Sequence, residues 1–136
     1  MILIIDRDVR LFEIAQQFNS WFNFLKIEFF RSSTDRSNKT FKSKPLLLDY
    51  KVKDVCNLNK SVVLELHFWN TTETVESLFY KKTGIHIQIY RKNKEAWVRS
   101  NGSDRLSLEE QNQLGNNTVS KYSIDNSWFL DNEKRL

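Results

Sequence analysis

Leu25-Lys26-Ile27-Glu28-Phe29-Phe30-Arg31 is echoed sixty positions later by Ile85-His86-Ile87-Gln88-Ile89-Tyr90-Arg91. In both copies the odd positions before the closing arginine are apolar, and the even ones carry charged, amide, imidazole or aromatic groups. A period of two is the signature of a strand with one buried face. Each copy follows a segment with helical spacing, so the scaffold reads as two helix-then-strand units.

Upstream of the first copy, Leu11, Ile14, Ala15, Phe18 and Phe22 recur every three or four residues, one apolar stripe of a helix that Asp8 can cap. Ile2 to Ile5 is a short apolar run that reads as a central strand covered on both faces. Between the copies, Ser61 to Trp69 alternates Val62, Leu64, Leu66 and Phe68 inward against Val63, Glu65, His67 and Trp69 outward. Asn70 to Thr74 caps a second helix through Val75, Leu78 and Phe79, which Gly84 stops because glycine reaches the left-handed conformation without steric cost. Leu46 to Tyr50 reads as a short edge strand and Lys51 to Cys56 as an irregular or single-turn piece. Lys92-Asn93-Lys94-Glu95 turns a hairpin into Ala96 to Arg99, and Ser107-Leu108-Glu109-Glu110 is a capping box opening a helix to about Leu114.

The order strand, helix, strand, strand, helix, strand implies an α+β fold, a ferredoxin-like half-open sandwich with an antiparallel sheet and two helices on one face, plus a hairpin strand and a short C-terminal helix. One domain over residues 1–115 carries a mobile basic loop at 32–45, and a polar tail, 116–136, holds the apolar anchor Trp128-Phe129-Leu130.

Composition narrows the classes. The 136 residues are 40% apolar and 28% charged, which describes a soluble globular chain. No apolar run approaches the roughly 20 residues that cross a bilayer. The N-terminal apolar run is cut short by Asp6, Arg7 and Asp8, unlike a signal peptide, and the lone Cys56 pairs with nothing in its own chain; both suggest a cytoplasmic protein. The net charge of +4 is accounted for by Arg31, Arg36, Lys39, Lys42 and Lys44 against Asp35. Such an excess in a Ser/Thr/Asn-rich stretch is either a solvated connection or an arm for phosphates.

If the odd positions point inward, the far side of the sheet holds Lys26, Glu28, Phe30, Val63, Glu65, His67, Trp69, His86, Gln88 and Tyr90. This face, with both histidines, three aromatics and two carboxylates, is the expected binding surface. Phe30, Trp69 and Tyr90 are the candidates for stacking nucleic-acid bases, with Arg36, Lys39, Lys42 and Lys44 as an electrostatic arm. The glycine-aromatic signature of RNA-recognition modules is absent. No cofactor is implied: the three glycines do not cluster into a phosphate loop, and Glu65 and His67 lack a third partner at metal-ligand spacing.

Gly84-Ile85-His86-Ile87-Gln88-Ile89-Tyr90-Arg91-Lys92, then Ala96-Trp97-Val98, then Leu106-Ser107-Leu108-Glu109-Glu110-Gln111-Asn112, resembles a family of small bacterial proteins with no assigned activity. Its pattern is a glycine, a strand ending in aromatic-Arg-Lys, a tryptophan strand and a (T/S)LEEQN helix start; Phe18 to Phe29 resembles its first helix and strand. The resemblance supports the element order and transfers no site residue. The expectation is therefore a non-enzymatic domain that binds another protein or a second copy of itself through the sheet face. Single-stranded nucleic-acid binding on that face is the alternative, and a small-molecule enzyme is third.

Overall fold

The structure is a computed structural model that describes residues 1–31, 44–100 and 105–119. It is α+β, with strands β1 (Ile2–Ile5), β2 (Leu25–Phe30), β3 (Val62–Glu65), β4 (His86–Asn93) and β5 (Ala96–Arg99). Helices α1 (Leu11–Trp21), α2 (Val52–Val55) and α3 (Thr72–Thr83) are followed by α4 over 108–119. Among the described residues no helix is long and apolar enough to cross a membrane.

The expected element order is present, but the single sheet is not. Among the described residues β1 pairs only with β3, as a two-stranded ribbon, while β2, β4 and β5 form a separate antiparallel meander in that order. The two echoed strands lie side by side, Leu25 opposite Arg91 and Phe30 opposite His86. Alternation fixes which face of a strand is buried but not which strand lies beside it, so β2 joins β4 rather than β3. Helices tie the sheets together: α1 packs on β1 and β2, α3 on β3 and β4.

Odd positions of the echoed strands do turn inward. Leu25, Ile27, Phe29, Ile85, Ile87 and Ile89 join Leu3, Ile5, Ile14, Phe18, Leu64, Leu66, Val75 and Phe79 in one core. Phe29 and Phe79 meet with ring centroids 5.9 Å apart, and burial of side chains this size contributes roughly 1.5–3 kcal/mol each. In β1 only Leu3 and Ile5 are buried; Ile2 and Ile4 are exposed, which corrects the expectation of a strand covered on both sides. Among the described residues the ribbon has helices on one side only.

Several local readings are also revised. The N-cap of α1 is Arg10, whose side chain makes no capping bond; Asp8 instead pairs with Lys53 at 3.0 Å. Leu46 to Tyr50 forms no strand, although the Leu46 N–H reaches the Phe29 carbonyl at 2.7 Å on the edge of β2. The Ser107 box opens a helix that runs on to 119, past Gly115, rather than ending near Leu114. Gly115 is required because a Cβ there would lie 2.8 Å from the Phe24 Cβ. Thr118 fastens the far end of α4, accepting from the Lys94 N–H and donating to the Lys92 carbonyl.

The ends of α3 follow its sequence. The Thr71 hydroxyl accepts from the Thr74 N–H, and Gly84 closes the helix at φ 79°. The Thr83 hydroxyl donates to the Phe79 carbonyl and accepts from the Ile85 N–H, carrying the chain into β4. At the margin of β4 just past the last β5 pair, Tyr90 with Arg99, the Glu76 carboxylate accepts from the Ile89 N–H at 2.9 Å, and the Ile89 carbonyl accepts from Ser100.

Candidate functional site

The expected face divides with the sheets. On the meander, Lys26 lies opposite Tyr90, Glu28 opposite Gln88 and Phe30 opposite His86. The hairpin adds Trp97 opposite Lys92 and Arg99 opposite Tyr90, residues that β5 contributes and that sequence reading left out. A two-residue turn at Lys94-Glu95 sets that register, so the hairpin spacing already contained the signal. The Lys26 ammonium is 3.3 Å from Glu28 and lies over the Tyr90 and Trp97 rings at 5.5 and 5.1 Å; Lys92 lies 4.9 Å from the Trp97 centroid. Two ammonium groups thus hold Trp97 by attraction to its ring quadrupole.

This face is not the open surface that parity suggests. Phe30 is 2% exposed and Gln88 4%, and Tyr90 and His86 are half-buried. His86 stacks on Tyr80 of α3, centroids 4.1 Å apart and planes 14° from parallel, and burial pushes its imidazole pKa down. The three stacking candidates are not assembled either: Phe30 is buried, Tyr90 lies beneath Lys26, and Trp69 sits on the turn that follows β3 of the other sheet.

The accessible surface is the outer wall of the β1–β3 ribbon. Ile4 lies opposite Val63 and Ile2 opposite Glu65; Ile2, Ile4 and Val63 are 52%, 57% and 56% exposed. The stripe continues past the end of β3 into His67 and Trp69. Their rings stack at 4.3 Å with planes 11° apart, and His67 Nε2 is 3.7 Å from Glu65 Oε1. Phe68, expected inward, is instead exposed and meets Trp69 edge to face at 5.0 Å, because the strand ends at Glu65 and alternation ends with it.

Trp69, 59% exposed, sits on a tethered turn. The Asn70 side chain accepts from the His67 N–H at 2.7 Å, and the Asn70 N–H donates to the His67 carbonyl. From α4, the Leu108 and Glu109 N–H groups donate to the Asn70 and Phe68 carbonyls at 2.8 and 3.0 Å. The first turn of α4 thereby spends otherwise unpaired amides on fixing the aromatic display.

Elsewhere the chemistry is sparse. An open polar cleft of about 430 Å³ is lined by Asp6, Arg7, Asp8, Val9, Glu13, Asn59, Lys60 and Ser61, with the Ser61 hydroxyl bonded to the Asp6 carboxylate. Neither histidine lines it, so Ser61 has no imidazole base there. Among the described residues no three His, Cys, Asp or Glu side chains form a metal-holding group. Burial raises the Cys56 thiol pKa, the opposite of an activated thiolate. Lys44 is exposed; Arg36, Lys39, Lys42 and the Trp128 anchor lie outside the described residues. No family model, no curated protein and no solved structure matches this chain.

Proposed function

We propose that the protein is a non-enzymatic binding domain that associates with a second copy of itself through the outer wall of the β1–β3 ribbon. The observation that carries this reading is the bare aliphatic pair Ile4 and Val63, continued by Ile2 and Trp69 on an anchored scaffold. Contiguous apolar surface of this kind marks interaction sites, and aromatic residues on fixed backbone make strong anchors. Two such walls pack face to face about 10 Å apart, as in a sandwich. A two-fold contact requires a self-complementary patch. This wall qualifies, with one carboxylate and one imidazole two residues apart on otherwise apolar ground, so that antiparallel apposition sets Glu65 against the partner's His67.

Single-stranded nucleic-acid binding ranks second because its stacking residues are dispersed and Lys26 and Lys92 already lie over the Trp97 ring. An enzymatic reading would start from the cleft beside Asp6, where neither histidine is at hand to activate Ser61. The half-buried, lone Cys56 supports a reducing compartment such as the cytoplasm.

Sedimentation equilibrium tests the reading. The full chain is expected to dimerise, and Ile4→Asp to weaken the dimer by at least about tenfold, the scale of a central interface residue. A strict monomer across the accessible concentration range, with or without a shifted oligonucleotide, would overturn it.

A further inference from the structure

We propose that the ribbon wall carries half of a metal site, Glu65 and His67, which a second copy completes into a centre of two imidazoles and two carboxylates for a divalent cation of zinc's class; the inference rests on the docking reading above. Within one chain the pair stands alone, since among the described residues no third His, Cys, Asp or Glu joins it. A two-fold contact supplies the remaining ligands, because the symmetry that sets Glu65 of one copy against His67 of the other gathers both pairs at one place.

The spacing of the donors fits an ion. His67 Nε2 and Glu65 Oε1 are 3.7 Å apart, too far for a good hydrogen bond and close to the roughly 3.3 Å that separates two ligand atoms on a tetrahedral ion with bonds of about 2.0–2.1 Å. Neither side chain makes another hydrogen bond or ion pair among the described residues, so both donor atoms are open. The imidazole is also preset: its ring lies parallel to Trp69 at 4.3 Å, and the Asn70 side chain holds its main-chain N–H at 2.7 Å. Support of this kind around a ligand keeps it aimed at the metal. An ion midway between walls about 10 Å apart lies about 5 Å from each, within reach of both side chains. Charge favours a dication. Two carboxylates carried into an apolar contact without compensation cost free energy, and one dication with two neutral imidazoles brings the sum to zero. A nitrogen and an oxygen donor from each copy suit zinc better than calcium or magnesium, which prefer oxygen alone.

Sedimentation equilibrium of the full chain at neutral pH, in EDTA and in a micromolar excess of zinc chloride, reads the site. Zinc should tighten the dimer by at least about tenfold, because only the dimer presents all the ligands, and atomic absorption should find one zinc for every two chains. His67→Ala should remove that response while His86 and Cys56, the chain's other imidazole and its thiol, stay in place. Glu65→Gln takes away a ligand and a charge at once, so it should associate in EDTA at least as tightly as the parent and gain little from zinc. Circular dichroism checks that each variant is folded; the two remove different ligands, so either one that folds decides. Equal association with and without zinc, one zinc per chain, or a zinc response that survives His67→Ala overturns the metal site alone. A monomer in both conditions overturns the docking reading and the metal site together.

Discussion

Ser107 and Glu110 satisfy each other's backbone amides at 3.0 Å in both directions, and those bonds pull the Glu110 carboxyl below its usual range. Ser107→Ala should cost about 1 kcal/mol, measurable by urea denaturation. The Glu110 contribution has the sign of a depressed acid: present at neutral pH and lost as the pH falls through the folded value. His86 behaves differently from an ion-paired histidine. Burial lowers its folded pKa, so the unfolded chain binds the proton more readily, and the stability that neutral His86 contributes above the ordinary histidine range is lost on acidification. His86→Phe, which keeps a ring against Tyr80, should flatten the fall in melting temperature between about pH 7 and about pH 5. The box was legible because its partners are three residues apart; the pairing of Asp8 with Lys53, forty-five positions away, left no such trace.

Among the elements, the strands show what alternation can and cannot encode. Leu64 and Ile87 are buried as their parity requires, and truncating either to alanine should cost roughly 2–5 kcal/mol in chemical denaturation. Phe30 and Gln88 obey the same parity, pointing away from the core, yet both are buried, because exposure depends on what covers a face and not on the strand itself. The pairing of β2 with β4 joins residues about sixty apart, a choice made by tertiary packing that no local pattern announces. Helix α4 is a similar case. Gly115 looks like a stop signal, but in the fold it is the gap through which α4 approaches Phe24, and Gly115→Ala should cost about 1–3 kcal/mol through crowding despite better helix propensity.

At the scale of the whole molecule, the two sheets have unequal outer faces. The meander's is half-buried and knitted by lysine-aromatic contacts; the ribbon's is aliphatic and, among the described residues, exposed. Most of the candidate surface was therefore legible: Val63, Glu65, His67 and Trp69 were placed on it, whereas Ile2 and Ile4 were assigned to an interior that two strands cannot supply. Val63→Asp and Trp69→Ala are expected to weaken dimerisation while leaving the thermal midpoint within a few degrees of the parent, since surface changes usually shift stability by less than about 0.5 kcal/mol. An equal loss of stability in both variants would place these side chains in the core instead.

Glu76 bears on how large any assembly can grow. A carboxylate seated on a main-chain amide at the sheet margin works as a plug: an arriving extended peptide would have to expel a negative charge before it could zip onto β4 at Ile89. That stretch of β4 is thereby closed to the addition of a strand from another molecule, which removes one route by which an assembly could grow.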